Sequence, residues 1–198
     1  LLTHGYFLQE DEKEKKIMRP YVPLGILYIS AWLEKHGWAN RVFDSTFSSF
    51  DKLCTTLLKD KPHVVGIYTN LMTKLNVLRI IRFVRSRKEL SHTKIVLGGP
   101  EVRNHAPNFL LHGADYIVLG EGEATMLELV NWIIKGEGEI NQIQGIIYKD
   151  AHDTICKNPE REKLKELDRL PLPNRQKVDL QLYFNAWKEK HGTSSVTI

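Results

Sequence analysis

The chain has 198 residues, a length that allows one complete domain and part of a second. Hydrophobic residues make up 42% and charged residues 26%, which excludes collagen-like, low-complexity and wholly disordered chains. The 28 Lys and Arg against 24 Asp and Glu leave a net charge of +4. That excess indicates a nucleic-acid surface only if the basic residues cluster on one face. The basic residues at 74–87 fit the solvated face of a helix better, so we expect no nucleic-acid partner.

The two cysteines, Cys54 and Cys156, lie far apart and outside any metal-binding spacing. They exclude a zinc or iron–sulfur site built from this chain alone. The low cysteine content is typical of a reducing compartment, so we expect a cytoplasmic protein. No apolar stretch reaches the roughly 18–20 residues of a membrane-spanning helix, and we expect no membrane partner. The chain opens at Leu1 in what reads as a strand, so we expect further sequence upstream.

In residues 1–140, short β-branched runs alternate with amphipathic segments, the pattern of successive βαβ units. The five predicted strands are residues 1–4, 41–43, 64–68, 94–97 and 116–119. The five predicted helices are residues 24–36, 50–59, 74–87, 102–111 and 124–134. Gly37, Gly113 and Gly136 follow three of these helices, where a left-handed C-cap favours glycine. We therefore predict an α/β fold with a doubly wound, five-stranded parallel sheet.

Other segments interrupt or follow this pattern. The charged run at residues 10–16 has no apolar periodicity, and we interpret it as a solvated loop. Two short β-rich runs, residues 145–149 and 154–157, flank a turn and predict a β-hairpin. The two prolines in residues 170–173 favour extended backbone and indicate a linker, and residues 194–198 read as another strand.

This pattern divides the chain into three predicted parts. Residues 1–140 form the ligand-binding domain, residues 141–175 form the hairpin and linker extension, and residues 176–198 begin a further domain.

The candidate binding residues follow the third, fourth and fifth strands, because ligands of doubly wound sheets bind outside the carboxyl ends of the strands. They are Thr69, Asn70, Leu71 and Met72, then Gly98, Gly99, Pro100 and Glu101, and then Gly120, Glu121, Gly122 and Glu123. The first loop offers a hydroxyl and an amide, the glycines remove Cβ atoms that would block a bulky ligand, and the carboxylates stand at a helix start.

Taken singly, these loops have simpler explanations. A Gly-Gly pair can serve a turn, and a glutamate at a helix start can compensate the helix dipole. It is their shared edge of the sheet that favours a site. The sequence lacks GxGxxG after its first strand and lacks GxxxxGK(S/T), which argues against a classical dinucleotide or P-loop nucleotide site.

Four segments together carry a specific resemblance, in their order and spacing: residues 21–37, 65–69, 95–100 and 116–123. They are similar to the N-terminal cobalamin-binding domain of the B12-dependent radical S-adenosylmethionine enzymes. The resemblance covers nearly the whole chain, although each motif alone is weak. It implies a flavodoxin-like sheet in which cobalamin lies over the strand ends with its nucleotide tail among the loops.

The resemblance also assigns positions to individual residues. Thr69 and Leu71 occupy the small-hydroxyl-x-Leu position that lines the tail, and the paired glycines 98–99 lie beside it. Residues 120–123 surround the corrin side amides, and the loop that includes Pro23, Leu24 and Gly25 approaches from the first-helix side. Related members often carry Pro-Pro where this chain has Val22-Pro23.

Cobalamin domains of the methionine-synthase type supply a histidine to cobalt from a DxHxxG motif. The corresponding residues 44–49 contain neither the histidine nor the glycine. The histidines weighed as substitutes have surface or capping positions in the predicted pattern: His36, His63, His92, His105 and His112. We therefore expect no protein ligand to cobalt and no catalytic residue within this chain.

The resemblance implies the cobalamin-binding domain of a radical S-adenosylmethionine enzyme, a methyltransferase or an oxidative cyclase. S-adenosylmethionine and a 4Fe–4S cluster would belong to the catalytic barrel of the parent protein, whose CxxxCxxC loop is not in this sequence. By this interpretation the chain alone is not an enzyme, and its partners are cobalamin and the missing barrel. The alternative is a non-enzymatic binding or interaction domain that keeps the fold but has lost the cofactor.

Overall fold

A computed structural model describes residues 1–194 of the chain. In these residues strands and helices alternate, except that two helices lie between the first two strands and the last two strands are consecutive. The strands are β1 (Leu2–His4), β2 (Val42–Phe43), β3 (Val64–Tyr68), β4 (Lys94–Gly98), β5 (Tyr116–Val118), β6 (Ile146–Lys149) and β7 (Ile155–Lys157). The helices are α1 (Glu12–Ile17), α2 (Leu24–Lys35), α3 (Phe50–Asp60), α4 (Lys74–Arg85), α5 (Val102–Leu111), α6 (Glu123–Lys135) and α7 (Leu180–His191).

All the strands join one sheet in the order β2-β1-β3-β4-β5-β6-β7. The first five pair in parallel, which confirms the predicted flavodoxin-like, doubly wound sheet. After β1 the chain adds β2 on one side and then β3, β4 and β5 on the other. The topological switch therefore lies between β1 and β3, where a crevice opens at the carboxyl ends of the strands.

The predicted hairpin is present, but it is part of the sheet rather than a separate extension. Strand β6 pairs antiparallel with β5, and β7 pairs antiparallel with β6, so the sheet has seven strands instead of the expected five. The buried side chains of Ile146 and Ile147 explain this placement, because they extend the apolar cores on the two faces of the sheet. The hairpin covers an edge that β5 would otherwise expose.

The prediction of a loop at residues 10–16 is wrong, since most of this run forms helix α1. Its N-cap is Asp11, whose carboxylate accepts hydrogen bonds from the backbone of Lys13 and Glu14. No residue of α1 is buried, so the helix depends on its cap and on charge placement, with acidic residues in its first turn and basic residues in its last. A search for apolar periodicity cannot find such a helix.

Alternating strand residues supply two apolar cores, one on each face of the sheet. Val65 and Ile67 of β3 pack with α3, α4 and α5, whereas Val64 faces the layer formed by α2 and α6. Tyr183 of α7 belongs to this second layer, with 1% of its surface exposed. Both faces of the parallel strands are thereby covered, as parallel sheets require.

The predicted linker is held against the domain. Asn174 donates hydrogen bonds to Ser30 Oγ (3.0 Å) and Glu34 Oε2 (2.7 Å) of α2, and Lys177 Nζ donates to the Asn40 carbonyl (2.7 Å). A strand was predicted at residues 194–198, and residues 195–198 lie outside the described residues. Among residues 1–194, no helix combines the length and apolar character needed to cross a membrane.

Candidate functional site

Two adjoining cavities lie at the carboxyl ends of the parallel strands. The smaller has a volume of about 180 Å³ and lies between β3, β4, β5 and the starts of α2 and α6. The larger, about 580 Å³, lies over the ends of β1 and β2 and extends beneath α1. Gly25, Ile26 and Tyr68 line both, so a single ligand can occupy the two together.

Glycines and apolar side chains form the smaller cavity. A Cβ atom added to Gly98 would meet no atom within 4 Å, so this position faces open space. Gly120 is equally open, while a Cβ at Gly122 would lie 3.2 Å from the side chain of Ile29. The cavity is therefore open where the glycines at 98 and 120 lack side chains, and an apolar ring would fit such a space.

Gly98 and Gly99, which the sequence treats as a pair, have different roles. Gly99 has a φ of +102°, and a Cβ there would lie 2.3 Å from the carbonyl oxygen of Thr69. The chain's own backbone thus requires glycine at 99, with or without a ligand. Of the two glycines, only Gly98 is not required by the chain's own backbone conformation or packing.

Thr69 contributes the one strongly unusual polar atom of this region. The residue is fully buried, its backbone N–H donates to the Gly98 carbonyl (2.8 Å), and its Oγ1 has no hydrogen-bond partner. A buried hydroxyl without a partner is costly. Thr69 lines neither cavity, so its hydroxyl lies behind the cavity wall.

The acidic residues of the fifth-strand loop line the smaller cavity. Glu121 accepts a hydrogen bond from the backbone of Leu164 (2.7 Å). Burial, with a smaller contribution from the charge of Glu121, raises the pKa of Glu123 against the effect of nearby backbone hydrogen bonds. Glu123 is therefore a poorly hydrated carboxyl group that an amide-bearing ligand could satisfy.

Polar side chains form much of the larger cavity. The lining includes His4, Tyr6, Glu14 and Thr46, together with the loop residues Pro23 and Leu24 that the sequence analysis assigned. His4 is the single histidine among the described residues that line either cavity. It is 4% exposed, and its ring contacts Asp44 and the backbone of Tyr6.

The structure brings most of the predicted site residues together. Those that line one or both cavities are Pro23, Leu24, Gly25, Asn70, Met72, Gly98, Gly99, Gly120, Glu121, Gly122 and Glu123. Asn70 also closes the turn before α4, since its Oδ1 accepts from the Thr73 backbone (3.0 Å) while Thr73 Oγ1 accepts from the Asn70 backbone (3.0 Å).

Four predicted residues do not line either cavity. Thr69 is fully buried behind the cavity wall. Leu71 is 74% exposed at the tip of its loop, and Pro100 lines a shallow depression behind Gly99. The Glu101 carboxylate is engaged elsewhere, by Lys74 Nζ at 2.7 Å and His105 Nε2 at 3.1 Å. It bridges the starts of α4 and α5.

Sequence reasoning missed the polar residues at the ends of β1 and β2. His4 ends the first predicted strand, which is the signal that could have found it. No signal in the sequence pairs it with Asp44, because that contact depends on the parallel pairing of β1 with β2.

Residues 16–130 match the family described as B12 binding domain. An uncharacterized methyltransferase of Pyrococcus horikoshii is 28% identical over 171 residues, 81% of this chain and 35% of its own. The anaerobic magnesium-protoporphyrin IX monomethyl ester cyclase of Rubrivivax gelatinosus is 27% identical over 161 residues, 75% of this chain and 28% of its own.

Solved structures agree on the fold. The cobalamin-dependent S-adenosylmethionine radical enzyme OxsB, with aqua-cobalamin bound, superposes with a TM-score of 0.72 at 20% identity over 87% of this chain. The radical S-adenosylmethionine methyltransferase TsrM from Kitasatospora setae gives a TM-score of 0.63 at 18% identity over 90%. The chain spans 23% and 33% of these two proteins. The family match covers more than half of the chain, and this protein belongs to the B12-binding domain family.

Proposed function

We propose that this chain binds cobalamin and serves as the cofactor-binding part of a radical S-adenosylmethionine enzyme that transfers methyl groups. The observation that carries the proposal is the open space over Gly98, a residue whose carbonyl is hydrogen-bonded to the backbone of Thr69. The space is a slot between apolar side chains, and the unpartnered Thr69 hydroxyl lies behind its wall. The nucleotide tail of cobalamin ends in an aromatic base, and a ring nitrogen of this base can accept a hydrogen bond.

The smaller cavity suits that tail, and the larger cavity suits one side of the corrin ring. Glu121 and Glu123 line the smaller cavity, so they would accept hydrogen bonds from cofactor amide groups next to the tail. Gly25 and Tyr68, which line both cavities, would contact the cofactor where the tail meets the ring. The chain's own part is to bind, orient and exclude water.

We further propose that no protein histidine binds cobalt. Tyr6 donates its backbone N–H to His4 Nδ1 (3.2 Å), and His4 Nε2 lies 3.1 Å from Asp44 Oδ1. Both ring nitrogens are therefore engaged within the protein. Residues 44–49 supply no other histidine. Cobalamin would provide the methyl-carrying cobalt, while S-adenosylmethionine and a 4Fe–4S cluster would bind elsewhere in the parent protein.

Methyl transfer is favoured over cyclisation because the methyltransferase relative aligns over more of this chain, although a cyclase relative has almost the same identity. The chain spans about a third of these relatives, so the substrate would be bound mainly by the remainder.

Visible absorption tests the cofactor assignment. The purified chain, incubated with hydroxocobalamin and then desalted, should retain the corrin absorption at close to one equivalent per chain. A colourless chain would contradict the proposal and favour a domain of this fold that has lost its cofactor.

Electron paramagnetic resonance of the Co(II) form tests the axial ligand. We expect a spectrum without nitrogen superhyperfine splitting. Splitting that survives in a His4→Ala variant would show a ligand from the cofactor's own base, and splitting that His4→Ala abolishes would show a histidine ligand. Both outcomes contradict an axial position without nitrogen.

A further inference from the structure

Helix α7, which follows the linker, makes a buried polar contact with residues 44–47, the loop after β2. Tyr183 packs the edge of its ring against Phe47, with 4.9 Å between the ring centroids. Its hydroxyl donates a hydrogen bond to Asp44 Oδ2 (2.7 Å) and lies 2.9 Å from Thr46 Oγ1. The phenol has one proton, so the Thr46 hydroxyl donates back to it.

Asp44 also contacts His4, the last residue of β1. Its Oδ1 lies 3.1 Å from His4 Nε2, and the Tyr6 backbone N–H donates to His4 Nδ1 (3.2 Å). The Ser45 backbone N–H also donates to His4 Nε2 (3.3 Å), so a backbone donor faces each ring nitrogen while the Asp44 carboxylate faces Nε2. The Asp44 carboxylate and the backbone N–H groups of Tyr6 and Ser45 therefore fix the orientation of the His4 ring.

The network continues into the wall of the larger cavity. The Tyr6 hydroxyl donates to Glu14 Oε2 of α1 (2.8 Å). His4, Tyr6, Glu14 and Thr46 all line the cavity, whereas Asp44 and Tyr183 do not. Any effect of Tyr183 on a ligand in this cavity must therefore act through the others.

A second set of contacts joins α7 to the same wall. Trp187 Nε1 donates to the Pro20 carbonyl (2.8 Å), and its ring lies edge-on to Tyr21 with centroids 5.6 Å apart. His191 Nε2 lies 3.0 Å from the Ile17 carbonyl. Ile17 and Tyr21 line the larger cavity, so α7 contacts its wall at these residues as well as through Asp44.

We propose that Tyr183 is a positioning residue of the larger cavity. Through Asp44 it holds the His4 imidazole and the Tyr6 backbone in the arrangement that shapes the wall. The cavity is then complete only when α7 is docked, and the position of the segment that follows the linker is coupled to the cofactor site. This inference rests on the proposed cobalamin binding for its consequence, although not for its geometry.

The ionisation of the pair fits this role. Burial first, and then the charge of Asp44, raise the pKa of Tyr183, which therefore remains a hydrogen-bond donor. Burial opposes ionisation of Asp44, but the hydrogen bonds and charge of His4, with the bonds from Tyr183 and Thr46, outweigh it and lower the Asp44 pKa. Loss of the phenol proton donor leaves a buried carboxylate oxygen with fewer partners.

The test is Tyr183→Phe, which keeps the ring against Phe47 and removes only the hydroxyl. Hydrogen exchange of the 198-residue chain without cofactor is measured well below the melting temperature of each variant. We expect faster exchange at the Tyr6 amide and in residues 12–17, with the sheet unchanged. Tyr148→Phe is the control, since it removes a tyrosine hydroxyl from a largely buried residue of β6, away from both cavities.

Cobalamin titration gives the second readout. Tyr183→Phe should weaken binding by about three- to tenfold, the loss expected for one buried hydrogen bond to a charged group. Trp187→Phe should have a smaller effect of the same kind. Unchanged exchange at Tyr6 together with unchanged affinity would overturn the proposal. If the wild-type chain binds no cobalamin, the cofactor assignment fails, and the exchange measurement still decides the role of Tyr183.

Discussion

The two cavities are shaped by opposite means. The smaller depends on side chains that are missing, above all at Gly98 and Gly120, while the larger depends on side chains that meet from distant parts of the chain, including His4, Asp44 and Tyr183. A site of the first kind is sensitive to added atoms, and a site of the second kind to removed ones. Substitutions in each can therefore separate the requirements of the fold from those of the ligand.

Gly99→Ala should cause the largest change in stability. Its φ of +102° and the 2.3 Å approach to the Thr69 carbonyl impose backbone strain and overpacking together, on the order of 3 kcal/mol. Thermal unfolding of the chain without cofactor measures it, and a melting temperature about 10 °C lower is expected. A wild-type melting temperature would show that the loop relaxes freely and that this position belongs with Gly98.

Gly98→Val should have the opposite profile. The position lies at the end of β4 and faces open space, so the valine fits the strand and leaves the melting temperature nearly unchanged. Its methyl groups fill the smaller cavity, and the affinity for cobalamin should fall more than tenfold, or about 1.4 kcal/mol and more. Normal binding by a folded Gly98→Val chain would remove the smaller cavity as the tail site.

Thr69→Val tests the unpartnered hydroxyl. The variant removes a buried polar atom without changing side-chain shape, so the chain without cofactor should be as stable as the wild type or more stable by about 1 kcal/mol. The affinity for cobalamin should nevertheless fall about two- to tenfold. Thr69→Ser, which keeps the hydroxyl, should restore binding, and equal affinity in both variants would contradict the hydrogen bond.

Asp44→Asn tests the network of the larger cavity through pH. The native pKa of Asp44 is lowered, so ionised Asp44 stabilises the fold above the unfolded pKa near 3.9, and this stability is lost as pH falls through the native pKa. The free energy of unfolding of Asp44→Asn should therefore fall less steeply below about pH 4 than that of the wild type. The same pH dependence of the unfolding free energy in both proteins would show that its partners do not stabilise the ionised Asp44 carboxylate.

Local patterns predicted the sheet well. Strand β3 and helix α5 have the residue limits expected from the sequence, because a buried β-branched run and an amphipathic run each carry their own periodicity. Helix α1 was missed because it buries nothing and has no apolar period. The hairpin was found as a local element, but its place beside β5 depends on long-range packing.

The site was predictable only in its backbone-shaped half. Glycines after a strand are visible in a sequence, and Gly98 and Gly120 line the smaller cavity as expected. The contact between Asp44 and Tyr183 joins residues with no shared local motif, and only the folded sheet brings them together. The engagement of Glu101 by Lys74 and His105 is equally invisible before the helices are placed.

The hydrogen bond between Tyr183 and Asp44 also orders events during synthesis. Every residue lining the smaller cavity precedes Leu127, while the wall of the larger cavity needs a phenol that the ribosome adds much later. Translation proceeds from the N-terminus at about 5–20 residues per second. A nascent chain can therefore complete the smaller cavity first, and it closes the larger cavity only once α7 has left the exit tunnel.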